Sequence, residues 1–185
     1  FVLTLIIPLQ YAVLVGVGVS IILHVLRQSN RITVRRRYVD PQGNLVETDP
    51  PTIIPANEVV VLQPYGSLFF AAAPVFEAQL PAIGDSSRNS VVILRLRART
   101  DLGTTIMDVL LRYAQSLASV DSRLMIVSTT AEIDDQLAVT GIADVIGTDS
   151  VYRGDERVGA TTAQAEREAL AWIDERRPPE TPPGG

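Results

Sequence analysis

Residues 100–105, Thr-Asp-Leu-Gly-Thr-Thr, have types and spacing that could do chemistry. They join the apolar run "SVVILRLR" at 90–97 to an amphipathic stretch beginning at Thr104. A strand-to-helix junction leaves the first-turn N–H groups of the helix without intrahelical partners, at the positive end of its dipole. Such a place suits an anion. Asp101 can cap the helix, and Thr105 with Asp108 matches the S/T-x-x-D/E capping box. A phosphate on Thr104 or Thr105 would add about −1.5 to −2 charges beside Asp101. The dipole would favour that charge and the carboxylate would oppose it. Two readings stay open: a helix cap that makes loop contacts with partners, and a phosphorylation switch.

Other chemistry is sparse. The chain has no cysteine and a single histidine, His24, which sits in an apolar stretch. That excludes Cys–His pairs and a Ser-His-Asp arrangement outside that stretch. No Walker A or G-x-G-x-x-G pattern is present. The acids of "EIDD" at 132–135 read as the solvated face of a helix, so no metal site, no cofactor and no enzymatic activity are expected.

The elements that must hold the 100–105 loop follow from periodicity. "EVVVLQPYG" reads as a strand, "SLFFA" as a second short strand, and "APVFEAQL" as a short helix. "SVVILRLR" is a strand. Ile106, Val109, Leu110, Tyr113, Leu117 and Val120 then recur at helical spacing. "RLMIVST" is a buried strand, "AEIDDQLAVTG" a helix stopped by Gly141, "DVIG" a last short strand, and "TTAQAEREALAWIDERR" a closing helix. Strands alternating with helices predict an α/β domain over 58–177, with a mixed, mostly parallel sheet of about five strands and about four helices. On the strand at 91–97, Val91, Ile93, Arg95 and Arg97 share one face. Helices are expected to leave the basic end of that face to a partner, to solvent or to local acids such as Asp101. "VYRGDERVG" at 151–159 reads as a polar surface loop, and 178–185 as a Pro/Gly-rich tail outside the core.

From Phe1 to Leu26 there is no Asp, Glu, Lys or Arg. About 20 apolar residues cross a bilayer, so 1–26 is expected to be a transmembrane helix. A signal peptide would carry its basic residues before the apolar run, not after it. Ala12, Gly16 and Ser20 place small residues on one helix face, which suits packing against another membrane helix. Arg27, Arg31, Arg35, Arg36 and Arg37 follow, in a connector spanning 27–57 that could hold a small hairpin turning at Asp40–Gly43. The positive-inside rule puts this end in the cytoplasm, beside anionic lipid. Setting these five arginines aside deepens the net charge of the remainder from −5 to −10, which argues against nucleic acid as a partner.

The segments "QPYGSLFFAAAPVFEAQLP", "SVVILRLRARTDLGTTIMDVL", "RLMIVST" and "TGIADVIG" together resemble a STAS domain. "LQYAVLVGVGVSIIL" with its arginine cluster is similar to the last span of SulP-type anion permeases, in which a cytoplasmic STAS domain follows directly. The resemblance covers residues 1 to about 177. It implies a regulatory and assembly domain of a secondary transporter for sulfate or bicarbonate, with the transport core lying before Phe1 in the same polypeptide. It implies a cell-membrane location, residues 27–185 in the cytoplasm, and a homodimer. In STAS proteins of the anti-sigma-factor-antagonist type the matching loop carries an Asp followed by a phosphorylatable Ser. Asp101 matches the acid, but Leu102 stands at the acceptor position. The rival reading is a single-span anchored STAS signalling module without transport. Nucleotide binding at 101–105 or 151–159 rests on the resemblance alone.

Overall fold

The computed structural model describes residues 9–29, 32–66, 68, 72–96, 102–128, 130–154 and 159–177. Its order is α1 (Leu9–Ser29), β1 (Thr33–Val39), β2 (Leu45–Thr48), β3 (Val59–Tyr65), α2 (Ala73–Gln79), β4 (Val91–Leu96) and α3 (Thr104–Ala118). There follow β5 (Arg123–Ser128), α4 (Ala131–Val139), α5 (Ile142–Ile146), β6 (Val151–Arg153) and α6 (Ala160–Arg176). The strands form one six-stranded sheet in the order β2-β1-β3-β4-β5-β6. Pairings from β3 through β6 are parallel, and those of β1 with β2 and β3 are antiparallel.

The hairpin expected in the connector exists, but it belongs to the sheet. Asp40 builds its turn: the Asp40 carboxylate accepts from the backbone N–H of Gln42 (3.0 Å) and Asn44 (2.7 Å), and Gly43 takes a φ of +86°. These bonds hold the Asp40 carboxyl below its ordinary pKa, the Asn44 backbone contact contributing most. β1 then pairs with β3 from Thr33 to Arg37, so the sheet begins well before residue 58.

β4 is the central strand, and all six of its residues are buried. A strand covered on both faces reads as a continuous apolar run. On one face Leu94, Leu96, Phe76, Ile106, Leu110 and Ile126 form the larger core under α2, α3, α4 and α5. On the other, Ile93, Met125, Val127 and Tyr152 pack against Ala165, Ala169 and Ile173 of α6. The basic face of β4 is therefore not left open at Arg95. That side chain is 7 % exposed and donates to Gln63 Oε1 (2.7 Å), not to an acid, while Arg97 and Arg99 lie outside the described residues.

Docking of α6 also half-buries Glu166. Burial raises its carboxyl above the ordinary pKa, opposed by Arg37. A raised carboxylate pKa means the folded state holds the proton longer. Stability is then lost as pH rises from the unfolded value through the folded one. Glu166→Gln should flatten that decline, which urea denaturation at several pH values between about 4 and 7 would read. An unchanged pH profile would assign the decline to other groups.

Two elements differ from the sequence reading. "DVIG" is not a strand: Gly141, at φ +74°, ends α4 and starts the short helix α5. The last strand lies instead at Val151–Arg153, inside the expected surface loop. The left-handed backbone of Gly141 redirects the chain between α4 and α5, and Ile142 and Ile146 are buried in the larger core. "SLFFA" lies outside the described residues except for Leu68, which is buried in the larger core.

α1 runs to Ser29, beyond the expected end at 26, so Arg27 lies within it. Tyr11, Val13, Leu14, Val17, Ile21 and Ile22 are exposed. Among the described residues no helix is long and apolar enough to cross a membrane.

Candidate functional site: the carboxyl ends of the parallel strands

The exits of β4, β5 and β6 lie at one end of the sheet, because parallel strands share a direction. Ligands and partners of open α/β sheets usually meet this end. Gly103 is the N-cap of α3, with extended backbone and no side-chain cap bond. Its carbonyl accepts from the N–H of Ile106 (2.9 Å) and Met107 (3.2 Å). The capping box expected at Thr105 and Asp108 is therefore not formed. The helix starts at Thr104, which puts Thr105 inside the first turn and no longer at the cap. Thr104 and Thr105 are both exposed. Asp101 lies outside the described residues.

Residues that sequence reading passed over hold this end together. The Gln136 side chain of α4 accepts from the backbone N–H of Leu102 (3.0 Å), which anchors the entry to α3. Gly103 N–H reaches the carbonyl of Leu68 beyond β3 (3.5 Å). Ser128, fully buried at the end of β5, donates its hydroxyl to Asp134. Asp134 in turn accepts from the Arg153 guanidinium of β6 (2.8 Å from Nε and 2.7 Å from NH2). Gly154 N–H closes the gap on the Ser128 carbonyl (2.7 Å). Asp134, read from "EIDD" as part of a solvated face, thus pins α4 to β5 and β6. Ser128 and Arg153 lie 6 and 19 residues away in sequence, so no local spacing announced the link.

Among the described residues the arrangement offers a fixed helix start with exposed hydroxyls. Among the described residues no group of His, Asp and Glu could hold a metal ion. The expected basic cluster is divided. Arg31 lies outside the described residues, and the Arg27 side chain is not described. Arg35, Arg36 and Arg37 are strand residues of β1. Arg35 pairs with Asp49, Arg36 with Glu58 (3.3 Å) and Arg37 with Glu47 (3.1 Å). Each of the three thus has an acid partner within the domain, because β1 lies between acid-bearing neighbours. Gly16 and Ser20 are exposed and Ala12 is half-buried; a Cβ added at Gly16 would meet nothing within 4 Å. That row is open for packing but unfilled.

A family model described as "STAS domain" matches residues 51–165. No curated protein sequence matches the chain. Among solved structures, the murine Solute Carrier 26 family member A9 anion transporter in its inward-facing state is similar, with a TM-score of 0.62 at 16 % identity over 89 % of this chain. A second structure of SLC26A9 gives 0.63 at 14 % identity over 95 %. A sulfate transporter family protein from Wolinella succinogenes gives 0.50 at 19 % identity over 66 % of this chain and 92 % of its own. At these identities the likeness shows the fold. The chain spans only 26 % and 30 % of the two transporter chains. The family model covers most of the sheet and its helices, so the chain belongs to the STAS domain family.

Proposed function

We propose that this chain is the cytoplasmic regulatory and assembly portion of a SulP-type secondary anion transporter of the sulfate or bicarbonate class. In this reading α1 is the last membrane span and leads directly into β1. The carrying observation is that order: an apolar helix with exposed side chains, then, after three intervening residues, the sheet that holds the STAS match. Apolar side chains open on this scale are costly in water and normally mark a covered surface. Hydrocarbon covers them on all sides when residues 1–26, free of charged side chains, lie in a bilayer. The domain then tethers to the cytoplasmic side of the transport core. It contacts partners through Gly103, Thr104, Thr105 and the first part of α3, and it assembles with a second copy.

The test of the transport assignment is the coding sequence upstream of the Phe1 codon. A frame that stays open through about a dozen further apolar spans supports it, and sulfate and bicarbonate uptake would then be assayed with and without the STAS domain. A start codon immediately before Phe1 sinks it. The span is tested separately. After alkaline carbonate extraction the 185-residue chain should stay with the membrane pellet, while a version beginning at Ile32 should be released. Release of the longer chain would remove the span.

A further inference from the structure

At the opposite end of the sheet from the α3 loop lies a groove of about 850 Å³. It opens between the end of α3, the α5 turn and the last turns of α6, where β3, β4 and β5 begin. Its size is within the range of small-molecule sites. Its construction is unusual for this molecule. Asn57, Asn89 and Asp121 are the described non-glycine residues with left-handed backbone, at φ +57°, +53° and +53°, and all three line the groove. Each turns the chain into a strand. Asn and Asp adopt this conformation more readily than other side chains, but it still carries a cost, and such positions gather at functional sites. Asn89 ties the wall together: its amide donates to Asn57 Oδ1 (2.8 Å) and to the Ile173 carbonyl of α6 (3.0 Å).

Arg88, Arg123 and Arg176 supply guanidinium groups. Arg176 lies over the Trp172 ring (4.3 Å to the centroid), and Arg123 is 5.8 Å from it. Those contacts hold two cations in place beside an aromatic wall. Arg123 also pairs with Asp149 (3.2 Å). Arg88 is exposed, and no ion pair of its side chain is seen among the described residues. Ala114, Leu124 and Ile146 give apolar lining, and the carboxylates of Asp121 and Asp144 stand within the same groove. Guanidinium groups match a carboxylate. The Trp172 ring and the apolar lining match an aromatic body. The two acids match an N–H donor and oppose a polyanion.

We infer that this groove binds a small aromatic monoanion that carries both a carboxylate and an N–H donor. The site does not rest on the transporter reading, since every residue in it lies between Asn57 and Arg176, well after α1. Trp172 is the sole tryptophan of the chain, so its emission reports on the groove directly. The probe is 2-aminobenzoate, compared with the neutral 2-aminobenzamide and with benzoate, titrated into the 185-residue chain in detergent micelles. Saturable quenching of Trp172 by 2-aminobenzoate is expected, with the other two at least about tenfold weaker, the usual size of one lost charge-assisted contact. Arg88→Ala should weaken 2-aminobenzoate about tenfold and leave 2-aminobenzamide unchanged. Arg88 makes no described side-chain contact, so that variant should fold, as circular dichroism would verify. Absent or non-saturating quenching overturns the site. Equal binding of acid and amide, or unchanged binding in Arg88→Ala, overturns the recognition by guanidinium.

Discussion

Phe76→Ala should lower the free energy of unfolding by about 3–5 kcal/mol, the usual range for deleting a buried phenylalanine. Phe76 is 0 % exposed and sits in the larger core. It belongs to α2, a helix of only seven residues whose N-cap makes no side-chain bond. A helix so short has almost no stability of its own, so its place depends on packing. Loss of the ring removes what fixes α2 against α3, alongside the exposed Arg112–Glu77 pair (2.8 Å), which contributes little. Since α3 carries Gly103, Thr104 and Thr105 at its start, the effect should reach the candidate face. Chemical denaturation gives the magnitude, and hydrogen exchange of the first-turn amides of α3 gives the coupling. A loss below about 1 kcal/mol would mean that α2 is not held by this side chain.

The second large effect concerns the buried polar centre on the α6 side of the sheet. Gln63 is 8 % exposed, and its Oε1 accepts from both Arg37 (2.7 Å) and Arg95 (2.7 Å). Arg37 also has Glu47, but among the described residues no acid pairs with Arg95. Gln63→Leu would leave a buried guanidinium without its acceptor, and a cost of about 3 kcal/mol is expected. Arg95→Met removes the charge along with its need and keeps most of the side-chain volume. That change should cost less than about 1 kcal/mol. The double variant should recover most of the loss caused by Gln63→Leu, because the two changes act on one contact. Urea denaturation of the three variants reads this directly. Equal losses for the two single variants would mean that Arg95 is held by something other than Gln63.

Much of the architecture was legible because it is written in local period. The helix at 104–118 shows its buried side as Ile106, Val109, Leu110 and Leu117, one stripe at 3.6-residue spacing. The strands at 91–96 and 123–128 show themselves as unbroken apolar runs, as strands covered on both faces must. The Asp40–Gly43 turn is legible because Asp and Gly at those places have specific backbone roles. Failures came where one residue's conformation decided what followed. Gly141 was a visible helix stop, but a left-handed residue can end one helix and start another. Nothing in "DVIG" told a half-turn of helix from a short strand.

The candidate site was legible in part. A strand-loop-helix junction at 100–105 needs only local periodicity, and the exposed start of α3 is there. Its supports were not legible. Gln136 on Leu102, and Asp134 between Ser128 and Arg153, join residues from different elements. The same holds for the arginines of β1. As a sequence they form a basic run behind an apolar segment. Their charge is answered by Asp49, Glu58 and Glu47, which only strand pairing and the surrounding fold bring near.

The sequence by itself determined the α/β class, the uncharged first 26 residues, the absence of cysteine, and the position of the α3 loop. Each depends on residue type or on spacing within one element, and hydrophobic burial enforces such spacing whatever the rest of the chain does. Tertiary structure alone decided that the hairpin joins the sheet, that Arg95 is buried against Gln63, and that three left-handed residues meet Trp172 around one groove. Those outcomes depend on which elements become neighbours. Neighbours are selected by the packing of whole faces, and a face has no representation in any short stretch of sequence.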